Sequence, residues 1–164
     1  MGHRFTALFA VLLCSCAIFE NRPPPVTLRF HEEVSSALPD MHVRTVTVPH
    51  TGLRISVDPF AQLSEKDIYQ ARLEATPGGQ AVRLKFDLHG ANKLTEMTTR
   101  MRGQYVVVFF NDRPIAALLV EKRITDGELL LEGDLTEEEE HKLVDGINKL
   151  AGRWRDYGDT RLKP

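Results

Sequence analysis

No cysteine follows Cys16, so the body of this chain can hold neither a disulfide nor a free thiol. No apolar run approaches the ~20 residues that a membrane-spanning helix needs. Charge of one sign is also lacking: the formal net charge is −2, which gives no electrostatic case for nucleic acid. No glycine-rich phosphate loop is present. Gly78 and Gly79 follow Pro77 and read instead as a hairpin turn. Ser35 and Ser36 have no nucleophile-elbow context. Beyond the leader, the histidines at 31, 42, 50, 89 and 141 are scattered without metal-ligand spacing, and they read as surface or loop residues. No cofactor and no metal are expected, and nothing supports enzymatic activity. A hydrolase with an unrecognised site stays open as an alternative.

The two cysteines that do exist sit at positions 14 and 16, at the end of a leader. Arg4 precedes the short apolar run Phe5 to Leu13, the order of a secretory signal. One residue between two cysteines is too little for ordinary disulfide geometry. Leu13-Cys14-Ser15-Cys16 resembles a bacterial lipobox. That resemblance implies cleavage after Ser15 and acylation of Cys16, so the membrane partner would be reached through a lipid anchor. Several acyl chains hold a protein firmly, each buried methylene contributing ~0.8 kcal/mol. Residues 1–15 are then the signal peptide and 16–25 a lipidated, proline-rich tether. Pro23 to Pro25 favour an extended conformation with at most roughly 25–30 Å of reach. Ala17 rather than Asp follows the acceptor, which by the same resemblance favours the outer membrane in a Gram-negative envelope. About 150 residues remain, enough for one domain with its own core.

The remaining sequence alternates strand and helix patterns. Val26 to His31 reads as a half-buried strand. Arg44 to Pro49 and Leu53 to Val57 read as a hairpin closed near Gly52, with Leu53, Ile55 and Val57 on one face. Ser64 and Asp67 have capping-box spacing. Tyr69 to Ala75, with Ala71, Leu73 and Ala75 inward, pairs with the strand carrying Val82, Leu84 and Phe86. A helix is expected on the stripe Leu88, Ala91, Leu94, Thr98 and Met101, closed by Gly103. The continuous run YVVVFF marks a strand buried on both faces. Asn111-Asp112 turns it into IAALLV, and Asp126-Gly127 leads into ELLLEG. Thr136 and Glu139 form a second capping box, starting a helix on Leu143, Val144, Ile147, Leu150 and Ala151. Glu137 to Glu140 read as its solvated first turn. The expected body spans 26–152, with a polar tail over 153–164 from which Trp154 folds back. The fold class is α+β: an antiparallel sheet built from hairpins, with two helices packed on one face.

The segment from Leu63 to Leu150 resembles the head subdomain in the first periplasmic region of the SecD protein-export subunit. The resemblance rests first on Asp67, Ile68, Ala71, Arg72, Ala81, Val82, Leu84, Phe86, Gly90, Ala91, Lys93 and Leu94. It continues through Asp112, Ala117, Ile124, Thr125, Gly127, Gly133, Thr136 and Glu138. The family's double glycine is here Asp126-Gly127. SecD's membrane helices have no counterpart in this sequence, and ion coupling needs ionisable groups within a bilayer. The resemblance therefore implies the fold and a capacity to touch extended polypeptide or an envelope or secretion protein.

The expected function is a lipid-anchored, non-enzymatic envelope protein, facing the periplasm, that binds a protein or peptide or assists export. A structural envelope lipoprotein is the alternative. Strand addition at a sheet edge is the expected binding mode. The candidate partner-binding residues are Asn111, Asp112, Arg113 and Pro114, with Asp126 and Gly127. Arg100, Arg102, Arg153 and Arg155 form a second candidate patch, for anionic lipid or a partner. Oligomeric state is left open.

Overall fold

A computed structural model of the chain describes residues 26–34 and 43–156. The readings of the leader, of Cys16, of His42 and of the last eight residues lie outside these, and the side chains of Trp154 and Arg155 are also undescribed. The described chain is α+β, with every strand pairing antiparallel.

The central sheet runs in the order β4-β1-β7-β8: β1 is Leu28–Glu32, β4 Leu63–Ser64, β7 Tyr105–Phe110 and β8 Arg113–Leu119. A hairpin of β2 (Arg44–Thr47) and β3 (Arg54–Val57) covers one of its faces. A three-stranded sheet, β5 (Ile68–Thr76), β6 (Gly79–Phe86) and β9 (Glu128–Leu131), shares the core on the other side. That core also takes in α1 (Leu88–Arg100) and α2 (Glu137–Asp156).

The two-sided burial of β7 follows directly from its composition. Val106, Val108 and Phe110 enter the main core, while Val107 and Phe109 meet Val46, Val48, Ile55 and Val57 of the hairpin. The expectation of a strand covered on both faces is met. The same layering corrects the reading of β1 as half-buried. Leu28 and Phe30 face the main core, and His31 is buried on the hairpin side. There His31 Nδ1 bonds the Asp58 carbonyl at 2.7 Å and its ring meets Phe109 edge-on, so it is no surface histidine. Leu53 is exposed at the mouth of the hairpin loop, where its carbonyl accepts the Val48 N–H at 2.9 Å. Ala75 is likewise exposed near the end of β5.

Local chemistry sets the helix ends. Asp87 caps α1 by accepting the Gly90 N–H at 2.7 Å. Leu88 is not on the buried stripe: it is 74% exposed, and Met97 takes the core position alongside Leu94 and Thr98. Both expected capping boxes form, Ser64 with Asp67 at a 3-10 turn over Glu65–Asp67 and Thr136 with Glu139 at α2. α2 continues through Gly152 to Asp156. It also guards a sheet edge. The Asn148 amide accepts the Ala71 N–H and donates to the Ala71 carbonyl, both at 2.9 Å, closing the outer side of β5.

The four glutamates that open α2 do not share one environment. Glu139 sits in the capping box and under Arg113, and the backbone N–H of Thr136, then Arg113, hold its carboxyl below the usual range. Glu140 is buried rather than solvated. Burial, reinforced by Glu137, pushes its carboxyl up against a smaller opposing effect of His141. A raised carboxyl favours the neutral form in the folded state, so Glu140 stabilises at low pH and that contribution is lost as pH rises through its folded value. Glu140→Gln is therefore expected to stabilise the protein at pH 7 by on the order of 0.5 kcal/mol, after loss of the favourable helix-dipole contact. The gain should fall away as pH drops and be gone by about pH 3, where the carboxyl is neutral in both states. Urea unfolding at about pH 7 and about pH 3 reads both effects.

Candidate functional site

β8 and β9 are consecutive antiparallel strands, yet they belong to different sheets. They touch at one end, where the Asp134 N–H donates to the Ile115 carbonyl at 2.8 Å. From there they diverge, and the gap between them is a groove of about 440 Å³. Phe30, Leu94, Met97 and Val106 form its floor, Leu118 to Val120 one wall and Leu129 and Leu130 the other.

The walls are strand edges. The Val120 N–H donates to the Gln104 carbonyl, so Val120 faces β7. Antiparallel alternation then turns the backbone groups of Ala117 and Leu119 outward, on the same edge as the Ile115 carbonyl. On β9, the Phe86 N–H donates to the Gly127 carbonyl, which faces Gly127 toward β6 and turns Glu128 and Leu130 outward. The Glu128 N–H is taken by Asp126 Oδ1 at 3.1 Å. Among the described residues, nothing takes the outward backbone donors and acceptors of Ala117, Leu119 and Leu130, which stand over an apolar floor. Leu119 is 47% exposed at the rim. Glu121, Lys122 and Glu132 border the groove, a rim of mixed charge rather than a convergent acid–base cluster.

None of the six residues singled out from sequence lines this groove; they lie in the turn before β8, at the start of β8 and in the turn before β9. Asn111 and Asp112 both have positive φ, 47° and 64°, as the two central residues of a tight hairpin turn require. Asn111 Oδ1 accepts the Thr27 N–H, and the Asn111 N–H donates to the Thr27 carbonyl, tying the turn to the start of β1. Arg113 donates to both carboxylate oxygens of Glu139 at 2.9 Å and to Asp134, locking β8 to α2. Pro114 lies opposite Phe109 beside a bulge, where its missing N–H costs little. Gly127 takes φ 68°, and a Cβ there would stand 2.9 Å from the Ala91 Cβ. Among the described residues, none bonds the Asp112 side chain. Leu119, Leu130 and the floor residues were not singled out from sequence, since IAALLV reads as an apolar strand whose free edge only the sheet order reveals.

A second hollow of about 300 Å³ lies at the closed end, beside the hairpin loop. There His50 Nε2 meets Asp134 Oδ1 at 2.7 Å. Arg100 is paired with Glu32 and Glu96 on α1, which leaves it little to offer an anionic surface. No three potential metal ligands cluster among the described residues. No helix among them is long and apolar enough to cross a membrane.

Solved structures share this fold. SecDF in its super-membrane-facing form aligns with a TM-score of 0.59 at 22% identity, over 76% of this chain and 19% of that one. A second structure, of the membrane component SecDF that enhances protein export, aligns with a TM-score of 0.59 at 21% identity, over 76% of this chain and 62% of that one. The present chain thus spans less than two thirds of either. No curated protein matches it by sequence. The SecDF P1 head subdomain matches residues 43–148, from the covering hairpin through the groove to the middle of α2, and the chain belongs to that family.

Proposed function

We propose that this chain is a lipid-anchored, non-enzymatic module of the bacterial envelope, facing the periplasm, that holds an extended polypeptide between β8 and β9 and assists protein export. One observation carries the reading: two open strand edges stand over an apolar floor, and that arrangement suits a strand-like guest. Backbone groups of the guest would bond Ala117 and Leu119 on one side and Leu130 on the other, while alternate side chains would drop onto Met97 and Leu94. Family membership supports the connection with export, because one structural relative is a SecDF that enhances it. The mixed rim charge favours breadth over a single sequence.

A fluorescein-labelled peptide of alternating valine and threonine, titrated against the protein with polarisation as readout, tests the groove. Leu119→Asp places a charge at the rim and is expected to weaken binding at least tenfold, about 1.4 kcal/mol, with little change in Tm. Equal affinity in the variant would overturn the reading.

The anchor has its own test. Cys16→Ser is expected to release the protein from the membrane fraction or block its processing, whereas Cys14→Ser leaves both unchanged. Membrane retention and normal processing of the Cys16 variant would rule the anchor out.

A further inference from the structure

The segment joining β8 to β9 does not hang free over the groove. Three residues of α1 hold it, spaced four and three apart and therefore on one helical face: Ala91, Thr95 and Thr98. Thr98 is buried, its hydroxyl donating to the Leu94 carbonyl at 2.7 Å and accepting the Ile124 N–H at 3.0 Å. The Thr95 hydroxyl lies 2.9 Å from the carbonyl oxygens of both Ala91 and Ile124. Gly127, in the left-handed region, brings the backbone against Ala91 closely enough that a Cβ would collide. The Ile124 N–H thus ends on one helix hydroxyl, its carbonyl shares the single proton of the other with Ala91, and the connection is drawn down onto α1.

Consecutive strands usually pair with one another, yet β8 and β9 each end a different sheet. Among the described residues, the one backbone–backbone hydrogen bond between the two segments, from Asp134 to Ile115, sets a register. Continued toward the loop, it would place Ala117 opposite Glu132 and Leu119 opposite Leu130. Three of these, Ala117, Leu119 and Leu130, are the residues whose outward backbone groups no described residue takes.

We infer that the Ala91/Thr95/Thr98 face of α1 holds the β8–β9 hairpin open, and that hairpin closure and guest binding compete for the same strand-edge groups. The competition rests on the peptide-binding reading above, whereas the held-open hairpin does not. Thr95 and Thr98 are positioning residues: they touch the loop, not the guest.

Amide hydrogen exchange on the full chain tests this. In the wild type the Ala117, Leu119 and Leu130 amides are expected to exchange near the rate of solvent-exposed amides. In Thr95→Val/Thr98→Val these three should slow at least tenfold as the strands pair, while core amides such as Leu84 stay protected. Thr98→Ser, which keeps the hydroxyl, should behave as wild type. Wild-type edge amides already protected to core level would overturn the inference, and so would edge amides equally fast in the double variant. Should the double variant lose core protection, Thr95→Val alone, at a half-buried position, decides: slower edge amides support the inference and unchanged ones overturn it. The labelled peptide separates the two readings. Fast edge amides with no peptide binding sink only the proposed function, and peptide binding with edge amides protected in the free protein sinks only the held-open hairpin.

Discussion

Phe30→Ala is expected to lower the unfolding free energy by about 3–5 kcal/mol, the range for removing a buried aromatic ring from a core that cannot collapse around the gap. Phe30 is fully buried and sits on the middle strand pair of the central sheet, paired with Leu63 on one side and Val108 on the other. Its ring meets Phe86 edge-on at 6.0 Å and underlies the groove. Backbone pairing on both sides fixes β1, so the neighbouring strands cannot close in. The prediction also bears on the make-up of the domain. β1 lies outside residues 43–148, the span that matches the SecDF P1 head, yet it fills the slot between β4 and β7. A loss below 1 kcal/mol in urea unfolding would mean that β1 is an accessory to a core complete without it. A loss in the expected range makes it integral.

Much of this architecture is legible in the sequence. The hairpins around Gly52, Gly79 and Asn111-Asp112, the two capping boxes and the doubly buried β7 all follow from local signals: turn residues, side-chain oxygens at fixed offsets and an unbroken β-branched run. What could not be read is how the hairpins stack. His31 alternates like a solvent-facing residue, and it is buried because a hairpin formed by residues 44–57 folds across it. Glu140 fails as a solvated residue for the same reason, since the core-facing stripe of α2 begins one turn earlier than its aliphatic residues suggest. The groove was invisible for a further reason. It is a gap between two sheets, and strand order is a property of pairing between segments far apart in the chain. Asp126 and Gly127 were legible as a turn, but their position over Ala91 was not.

The glycine whose replacement should do most harm lies inside a helix, where the usual expectation is the reverse. Alanine normally gains about 1 kcal/mol over glycine in a helix interior. At Gly90, in the first turn of α1, a Cβ would stand 2.4 Å from the Asp67 carbonyl oxygen, 2.9 Å from the Asp67 Cβ and 3.1 Å from Phe86 Cδ1. None of these can step aside cheaply. The Asp67 carbonyl accepts the Asp87 N–H at 3.0 Å, and the Asp67 side chain is committed to its capping box and to Lys93. Relief would have to come from moving α1 off the 3-10 turn, which breaks the Asp87 contact and loosens the groove floor at Leu94 and Met97. Gly90→Ala is therefore expected to cost about 2–3 kcal/mol, overpacking outweighing propensity. Gly152 supplies the internal comparison, for it too is helical, but a Cβ there meets nothing within 4 Å. Gly152→Ala should gain roughly 0.5–1 kcal/mol. Urea denaturation of the two variants side by side should move the midpoint in opposite directions. A Gly90→Ala protein as stable as wild type would show that α1 does not seat against Asp67 as closely as described, and with it the floor of the groove would have to be redrawn.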